Sequence, residues 1–207
     1  GAKLVTIHSS SVISVLEKLS EFKTSVQNFE NKMTLCWNEV AAVTSNEIKR
    51  QTRYPEVESF DMIYSGPHFF VSNPLYKTPT ENCILNSDYD IIDHSFISDN
   101  FVARTNYVPN KINSNYVGLF KGFEKGKDEK GIPVYDNWFD YYKIGFRKML
   151  SQAGERTLTG AILIPKSAHI DGVNSVAFAK KNNLVELSAL SSSIVLDFFV
   201  KTIGTAN

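Results

Sequence analysis

The segment Asn73-Pro74-Leu75-Tyr76 contains the residue types that hold an extruded nucleobase during amino-group methylation. An Asn side chain and a Pro carbonyl can accept hydrogen bonds from the exocyclic amino group, while a Tyr ring stacks on the base. The segment differs at one position from the Asn-Pro-Pro-Tyr sequence of amino-methyltransferases. The same residues also suit a structural turn, because Asn and Pro are typical turn residues after a β-prone run.

Methylation also requires a site for S-adenosylmethionine, normally a Gly-rich turn between a strand and a helix. Residues 1–60 contain a single glycine, Gly1, and Gly118, Gly122 and Gly126 lie among Lys and Glu with no apolar strand before them. With half of the site missing, the sequence favours a structural turn at Asn73 to Tyr76.

Other catalytic signatures are incomplete. The Gly122 to Lys127 segment has too few residues between its glycines for a phosphate-binding loop. The histidines have no i, i+4 partner and no cysteine pair, which favours hydrogen-bonded structural roles over a metal site; they are His8, His68, His94 and His169. Cys36 and Cys83 lie in unrelated contexts, as expected for reduced core thiols.

The composition indicates one compact unit with a sizeable core, since 43% of the 207 residues are hydrophobic. Twenty-two basic residues balance twenty-two acidic ones, so any polyanion site must be a local patch. No stretch approaches the ~20 apolar residues of a membrane span, and the first residues do not resemble a signal peptide. We therefore expect a cytoplasmic protein, and Gly1-Ala2 without an initiator Met suggests a piece of a longer chain.

The hydrophobic spacing predicts an α+β fold in which an N-terminal helical segment, residues 1–50, packs on a mixed β-sheet domain with further helices, residues 51–207. Predicted helices cover Val12 to Phe29, part of Trp37 to Ile48, Trp138 to Leu150, and Leu184 to Gly204. Predicted strands lie at Met62 to Tyr64, His68 to Val71, and Thr157 to Pro165. Asn82 to Pro109 is predicted to be irregular, and Gly118 to Gly131 a solvated turn.

Four segments resemble the C-terminal region of large adenine-specific restriction-modification methylases, which carries a TaqI-like target-recognition domain. They are TRYPEVESFDMIYSGPHFFVSNPLYKTP (Thr52 to Pro79), ARTNYVP (Ala103 to Pro109), QAGERTLTGAILIPKSAHIDGVNSVAF (Gln152 to Phe178) and SSIVLDFFVKTIG (Ser192 to Gly204). The Ser-Gly-Pro-His and Glu-Arg-Thr-Leu parts are the most specific. In such proteins the catalytic domain lies upstream, and family members continue past the point where this chain stops, so the recognition unit is expected to be truncated.

The resemblance implies a type II restriction enzyme fragment that is non-catalytic in isolation and places a DNA methyltransferase domain on its target adenine. Its expected partners are double-stranded DNA and the methyltransferase domain of the parent chain. S-adenosylmethionine is expected to bind the parent and no cofactor to bind the fragment. The resemblance leaves open whether the parent also cleaves DNA.

Arg and Asn side chains read base edges in the major groove, and Lys side chains bind phosphates. The candidate contacts are Lys77, Arg104, Asn106, Arg147 and Lys148 at a predicted helix end, Arg156, Lys166 and His169. Each also has a structural interpretation: Arg156 can pair with neighbouring Glu155, and Arg104 can hold a loop to the core.

Two further hypotheses remain open at this point. The segment could mainly pack against the rest of the parent polypeptide without contacting DNA, which the zero net charge and the abundant aromatic residues favour. It could also be a small methyltransferase that uses Asn73 and Tyr76, although no cofactor fold is recognisable.

Overall fold

The computed structural model describes residues 9–56, 61–110, 120–149 and 153–203. The α-helices are α1 (Ser10–Ser20), α2 (Glu39–Thr44), α3 (Lys181–Ser192) and α4 (Ile194–Ile203). The strands are β1 (Asn31–Thr34), β2 (Ile48–Arg53), β3 (Met62–Tyr64), β4 (Lys77–Pro79), β5 (Tyr89–Ile91), β6 (Thr105–Pro109), β7 (Lys121–Lys127), β8 (Pro133–Asn137), β9 (Lys143–Arg147), β10 (Gly160–Leu163), β11 (Ser167–His169) and β12 (Val173–Phe178). The predicted α+β class is confirmed.

An antiparallel sheet of four strands forms the centre of the fold, in the order β1-β12-β9-β10. Ile144 on β9 and Val176 on β12 are register partners on one face, where they pack with Leu184 of α3. On the opposite face, Ala177 contacts the cluster that includes Trp138. Both faces of the sheet are therefore covered by apolar side chains.

Four two-stranded pairs surround this sheet: β3 with β11, β2 with β6, β4 with β5, and β7 with β8. Within the described residues, parallel pairing is seen between β3 and β11 and at the isolated bridge from Trp37 to Ile170. The Thr105 hydroxyl on β6 donates to the Ile63 carbonyl on β3 at 3.0 Å, which ties two pairs together. The predicted boundary between residues 50 and 51 lies inside β2.

The N-terminal helix is shorter than predicted. It begins after Ser9, whose hydroxyl accepts a hydrogen bond from the Ser11 amide, and it ends at Ser20. Beyond it, the Asn28 side chain accepts from the Ser25 amide within a short 3₁₀ turn. Local side-chain bonding of this kind competes with helical hydrogen bonds. The apolar spacing beyond Ser20 therefore belongs to a separate turn, from which Val26 packs on the sheet.

The helix predicted from Trp138 to Leu150 is wrong. Trp138–Asp140 forms a 3₁₀ turn, and Lys143–Arg147 is β9, an inner strand between β10 and β12; Leu150 lies outside the described residues. Within β9 the apolar residues Ile144 and Phe146 alternate as in a strand, and the helical spacing arose from Trp138, Tyr141 and Met149, which lie outside the strand. Arg147 and Lys148 thus lie at the end of a strand and not at the end of a helix.

Three further predictions require correction. His68 to Val71 is a 3₁₀ turn followed by the Phe70 to Asn73 bridge, and the Asn82 to Pro109 segment contains β5 and β6. The described part of the predicted turn at Gly118 to Gly131 contains β7, which forms a hairpin with β8. β5 pairs with β4 and β6 pairs with β2, so these strands depend on partners that lie elsewhere in the chain.

The C-terminal helix is broken at Ser193, where the backbone is extended, and α3 and α4 meet at 72°. The Ser193 hydroxyl accepts from the Leu196 amide at 3.1 Å, as expected for an N-cap. In the described part of the chain, no single helix has both the length and the hydropathy needed to cross a membrane, and α3 and α4 pass that test only as a bent pair, by length and composition.

Lys143 is a buried amine on the inner strand β9. Its side chain is fully buried, and Nζ lies 4.3 Å from the Trp138 ring centroid. Among the described residues, Nζ has no hydrogen-bond partner. Burial lowers the pKa of this ammonium from 10.5 to about 7. The folded protein therefore holds an amine whose protonation opposes folding.

Replacing Lys143 by Met should stabilise the fold at pH 7 by about 1–4 kcal/mol, the range seen when buried ion pairs are replaced by apolar side chains of similar volume. The unfolded amine keeps its proton up to its ordinary pKa, whereas the folded amine releases it near pH 7, so raising the pH from 7 to 10 should reduce the cost of burying Lys143. The advantage of Lys143→Met should shrink over the same range. Urea unfolding at several pH values measures both effects.

Lys49→Met is the matched control, because Lys49 is exposed. It should show little change in stability and retain the wild-type pH dependence. If Lys143→Met is instead destabilised at every pH, the amine makes a net favourable contribution in the core.

Candidate functional site

A cleft of about 780 Å³ opens beside the end of β9. One side is formed by the Ser65-Gly66-Pro67 turn and the other by the segment from Arg147 to Met149. The rest of the lining comes from Glu39, Phe70, Tyr76, Lys77, Asn86 and the turn from Ile170 to Gly172. Of the eight predicted contacts, the cleft brings together Lys77, Arg147 and Lys148.

Arg147 braces the turn that forms the cleft wall. Its Nε donates to the Gly66 carbonyl at 2.8 Å, and its Nη2 donates to the Phe69 carbonyl. The guanidinium carbon also lies 5.7 Å from the Phe70 ring centroid, within the range of a cation–π contact. Burial lowers the pKa of this guanidinium, which nevertheless stays charged because its ordinary value is so high.

His68 holds the same turn from inside the protein. Its Nδ1 accepts from the Ser65 amide at 3.0 Å, and its Nε2 lies 2.9 Å from the Arg104 carbonyl. Because a carbonyl can only accept, Nε2 carries the proton and the ring is neutral. Burial lowers the pKa of His68 to about 4, in agreement with this assignment.

The Ser65 hydroxyl extends the network, because it lies 2.6 Å from the Tyr89 hydroxyl and 3.0 Å from His68 Nδ1. Since Nδ1 is an acceptor, the Ser65 hydroxyl donates to it and accepts from Tyr89. Every member of the network thus has a defined direction of donation, which fixes the shape of the Ser-Gly-Pro-His turn.

His68 predicts a loss of stability in acid. The folded pKa of about 4 lies below the ordinary 6.5, so the unfolded state takes up a proton first as the pH falls. The contribution of His68 is complete above pH 6.5, and about 2 kcal/mol of it is lost by pH 5. His169, whose pKa burial also lowers to about 4, should act in the same direction.

The test compares His68→Asn with His94→Asn, because His94 is exposed. His68→Asn should lower stability at pH 7 by about 1–3 kcal/mol, since it loses the bond to the Arg104 carbonyl. Between pH 7 and 5 it should lose less stability than the wild type, whereas His94→Asn should follow the wild type. Equal pH slopes for His68→Asn and the wild type would exclude the titration of His68.

The two lysines in the cleft, Lys77 and Lys148, can contact an external anion. Lys77 Nζ lies 5.5 Å from the Tyr76 ring centroid, and Tyr76 packs on Phe70 with ring centroids 5.2 Å apart. Lys148 is exposed, and its backbone amide donates to the Gly172 carbonyl at 3.0 Å. Among the residues that the structure describes, neither Lys77 nor Lys148 takes part in an ion pair within 4.0 Å.

The two carboxylates in the cleft are engaged by other groups. Glu39 pairs with Arg50 and accepts from the Tyr107 hydroxyl. Asp171 accepts from the Asn38 side chain at 2.9 Å and from the Glu39 amide at 3.2 Å. Asp171 keeps its charge, but Lys77, Arg147 and Lys148 outnumber the two carboxylates. The cleft therefore presents a net positive charge beside aromatic rings, an arrangement suited to an anion with a planar group.

The other five predicted contacts have internal partners. Arg104 Nε donates to the Pro79 carbonyl at 2.7 Å, and the Asn106 side chain accepts from Thr52 at 2.8 Å. Arg156 pairs with Asp197 at 3.4 Å and donates to the Ser192 carbonyl, and Lys166 pairs with Asp140. Asn106 is 3% exposed and His169 is 0% exposed, so neither side chain reaches the surface in this conformation.

These partners match the structural interpretations only in part. Arg104 does hold a loop to the core. Arg156 pairs with Asp197 on α4, where sequence reasoning considered Glu155. Asp197 also accepts from the Thr157 amide at 2.9 Å, so it connects the strand-entry segment to α4.

Asn73 has the geometry of a structural turn. Its Oδ1 accepts from the Leu75 amide at 3.0 Å, and its backbone exchanges hydrogen bonds with Phe70. This Asx-type arrangement uses the oxygen that a catalytic Asn would present to a base. The predicted structural turn is confirmed.

Both cysteines are free, and Cys83 is buried whereas Cys36 is half-buried. Within the described ranges no group of three His, Cys, Asp or Glu side chains is placed to hold a metal ion. Comparison of the chain with protein-family models, with curated proteins and with solved structures finds no match.

Sequence reasoning missed two groupings. One is Lys143 with Trp138 in the core, because the segment was predicted to be helical. The other is Lys32 on β1 and Lys121 on β7, whose ammonium groups both lie near the ring of Tyr135 on β8. The exposed lysines in a Gly-rich segment were the available signal for the second group.

Proposed function

We propose that this chain is the DNA-sequence-recognition fragment of an adenine-specific restriction-modification methyltransferase. It is non-catalytic by itself, acts in the cytoplasm, and positions the methyltransferase domain of its parent chain on duplex DNA. S-adenosylmethionine belongs to that parent domain. The observation that carries the proposal is the cleft in which Lys77 and Lys148, free of ion pairs in the described residues, flank the braced Arg147 and the Phe70 and Tyr76 rings.

Lys77 and Lys148 are the phosphate contacts in this proposal. Exposed ammonium groups that bind phosphates release condensed counterions, which makes the affinity depend on salt concentration. Arg147 has its Nε and Nη2 donors committed to backbone carbonyls, so its main role is to hold the turn and to add positive potential. Tyr76 and Phe70 supply apolar contact surface next to these charges.

The remaining predicted contacts take positioning roles. Arg104 fixes the strand that carries Asn106, and Arg156 fixes the bend between α3 and α4. His169 supports β11 through Ser175, with Nε2 2.7 Å from the Ser175 hydroxyl. The proposal therefore assigns DNA contact to the cleft residues and not to these side chains.

Interdomain packing within the same large enzyme is the second candidate function. The observation that favours it is a row of exposed apolar side chains at the junction of α3 and α4, where Leu190, Ile194 and Val195 are 57%, 77% and 57% exposed. A parent domain that covered this junction would bury them. The two candidate functions use different surfaces and make different predictions about DNA binding.

The decisive experiment is a salt titration of binding to a fluorescent duplex. Lys77→Gln/Lys148→Gln should bind at least about 10-fold more weakly than the wild type at low salt, with the slope of log K against log salt reduced by about 2. Lys180→Gln/Lys181→Gln removes the same charge from exposed positions on another surface and should leave both quantities nearly unchanged.

Absence of duplex binding by the wild type at low salt would overturn the proposal and favour the packing function. Equal binding by the cleft variant and the Lys180/Lys181 control would show that the cleft is not the contact surface.

A further inference from the structure

The β7–β8 hairpin, residues 121–137, forms a two-stranded ribbon that pairs with no other strand in the described part of the chain. All residues from Glu124 to Tyr135 are exposed. The turn at its tip is closed by Asp128, whose carboxylate accepts from the Lys130 amide at 2.9 Å and from the Ile132 amide at 2.8 Å. The ribbon thus has a defined tip and two solvated faces.

The base of the ribbon is fixed to the core. Phe123 is buried and packs on Tyr141 with ring centroids 5.0 Å apart, and its amide donates to Asp136 at 2.6 Å. A Cβ atom at Gly122 would lie 2.1 Å from the Asp136 carboxylate, so only glycine permits this approach. A rigid base with an exposed arm is suited to entering a groove on a partner.

Two ammonium groups meet at the ring of Tyr135 near this base. Lys32 Nζ lies 5.9 Å and Lys121 Nζ lies 5.2 Å from the ring centroid, although the lysines come from different strands. In the described ranges neither lysine has a carboxylate within 4.0 Å. Two ammonium groups beside one aromatic ring raise the local positive potential, which attracts an anion.

The nearby carboxylates do not supply that anion. Asp136 is paired with Lys125 at 2.9 Å and Asp128 is used in the turn. Glu124 lies opposite Tyr135 in the strand register and forms no ion pair with Lys32 or Lys121 within the described residues. The paired amines are therefore available to an external anion.

We propose that the β7–β8 ribbon enters the major groove of duplex DNA, with Lys32 and Lys121 on phosphates and Tyr135 against the backbone between them. The major groove admits a two-stranded ribbon, and phosphates at its edges match ammonium groups at the ribbon base. This inference rests on the proposed DNA-recognition function and adds a second contact element to the cleft. An acidic polypeptide would satisfy the charges but gives no role to the projecting arm.

The test titrates a fluorescent random-sequence duplex with the wild type and with three variants at several salt concentrations. Lys32→Gln/Lys121→Gln should weaken binding about 10-fold or more at low salt and reduce the salt slope by about 2. Tyr135→Ala should weaken binding while leaving the salt slope unchanged, because it removes no charge. Lys180→Gln/Lys181→Gln, the matched loss of two exposed charges, should bind like the wild type.

The outcomes separate this inference from the proposed function. If the wild type binds, Lys77→Gln/Lys148→Gln is impaired, and the ribbon variants match the control, the inference is wrong and the cleft alone binds DNA. If the wild type does not bind duplex DNA at low salt, both are wrong.

Binding to fluorescent poly-glutamate is measured in parallel. If the wild type binds poly-glutamate as tightly as duplex DNA, and Lys32→Gln/Lys121→Gln abolishes that binding, the inference is overturned in favour of an acidic protein partner.

Discussion

The burial of β9 on both faces is the constraint on which the rest of the structure depends. Ile144 faces the apolar layer beneath α3, whereas Lys143 and Gly145 face the opposite layer. A Cβ at Gly145 would lie 2.6 Å from Leu163, so the strand admits no side chain there. The same strand ends at Arg147, whose guanidinium group forms the hydrogen bonds that hold the Ser65–Phe70 turn. Core packing and the shape of the cleft are thus set by five consecutive residues.

This constraint explains which parts of the fold were predictable from sequence. The α+β class, the first helix and the β10 strand follow from local periodicity and turn residues, which act within a short window. The segment from Trp138 to Arg147 was misassigned because apolar residues outside β9, such as Trp138 in the 3₁₀ turn, complete a helical spacing around the alternating Ile144 and Phe146. Its identity depends on β10 and β12, which lie later in the chain.

In the candidate site, too, some residue roles were predictable from sequence and others were not. Residue type alone correctly marked His68 and Asn73 as structural, since their chemistry lacked partners in the sequence. It could not separate Lys148, which is exposed, from Arg104 and Arg156, whose guanidinium groups bind backbone carbonyls. A hydrogen bond to a backbone carbonyl cannot be predicted from residue types, because every residue has a backbone carbonyl. The grouping of Lys32 with Lys121 was equally hidden, as it depends on how separate strands are placed.

A chain with no net charge can still present local positive surfaces if its carboxylates are held in turns away from its lysines. Asp136 and Asp128 accept from backbone amides at the ribbon, and Asp171 does so at the cleft. Asp88 likewise accepts from the Ile84 and Leu85 amides, and these bonds hold its pKa below the ordinary value.

The lysines of the cleft and the ribbon base, by contrast, point to rings or to solvent. Hydrogen bonds from backbone amides leave a carboxylate charged but hold its oxygens within its own turn, whereas the lysine amines remain available to contact an external anion. The placement of the charged groups, and not the total charge, therefore decides whether this protein attracts a polyanion.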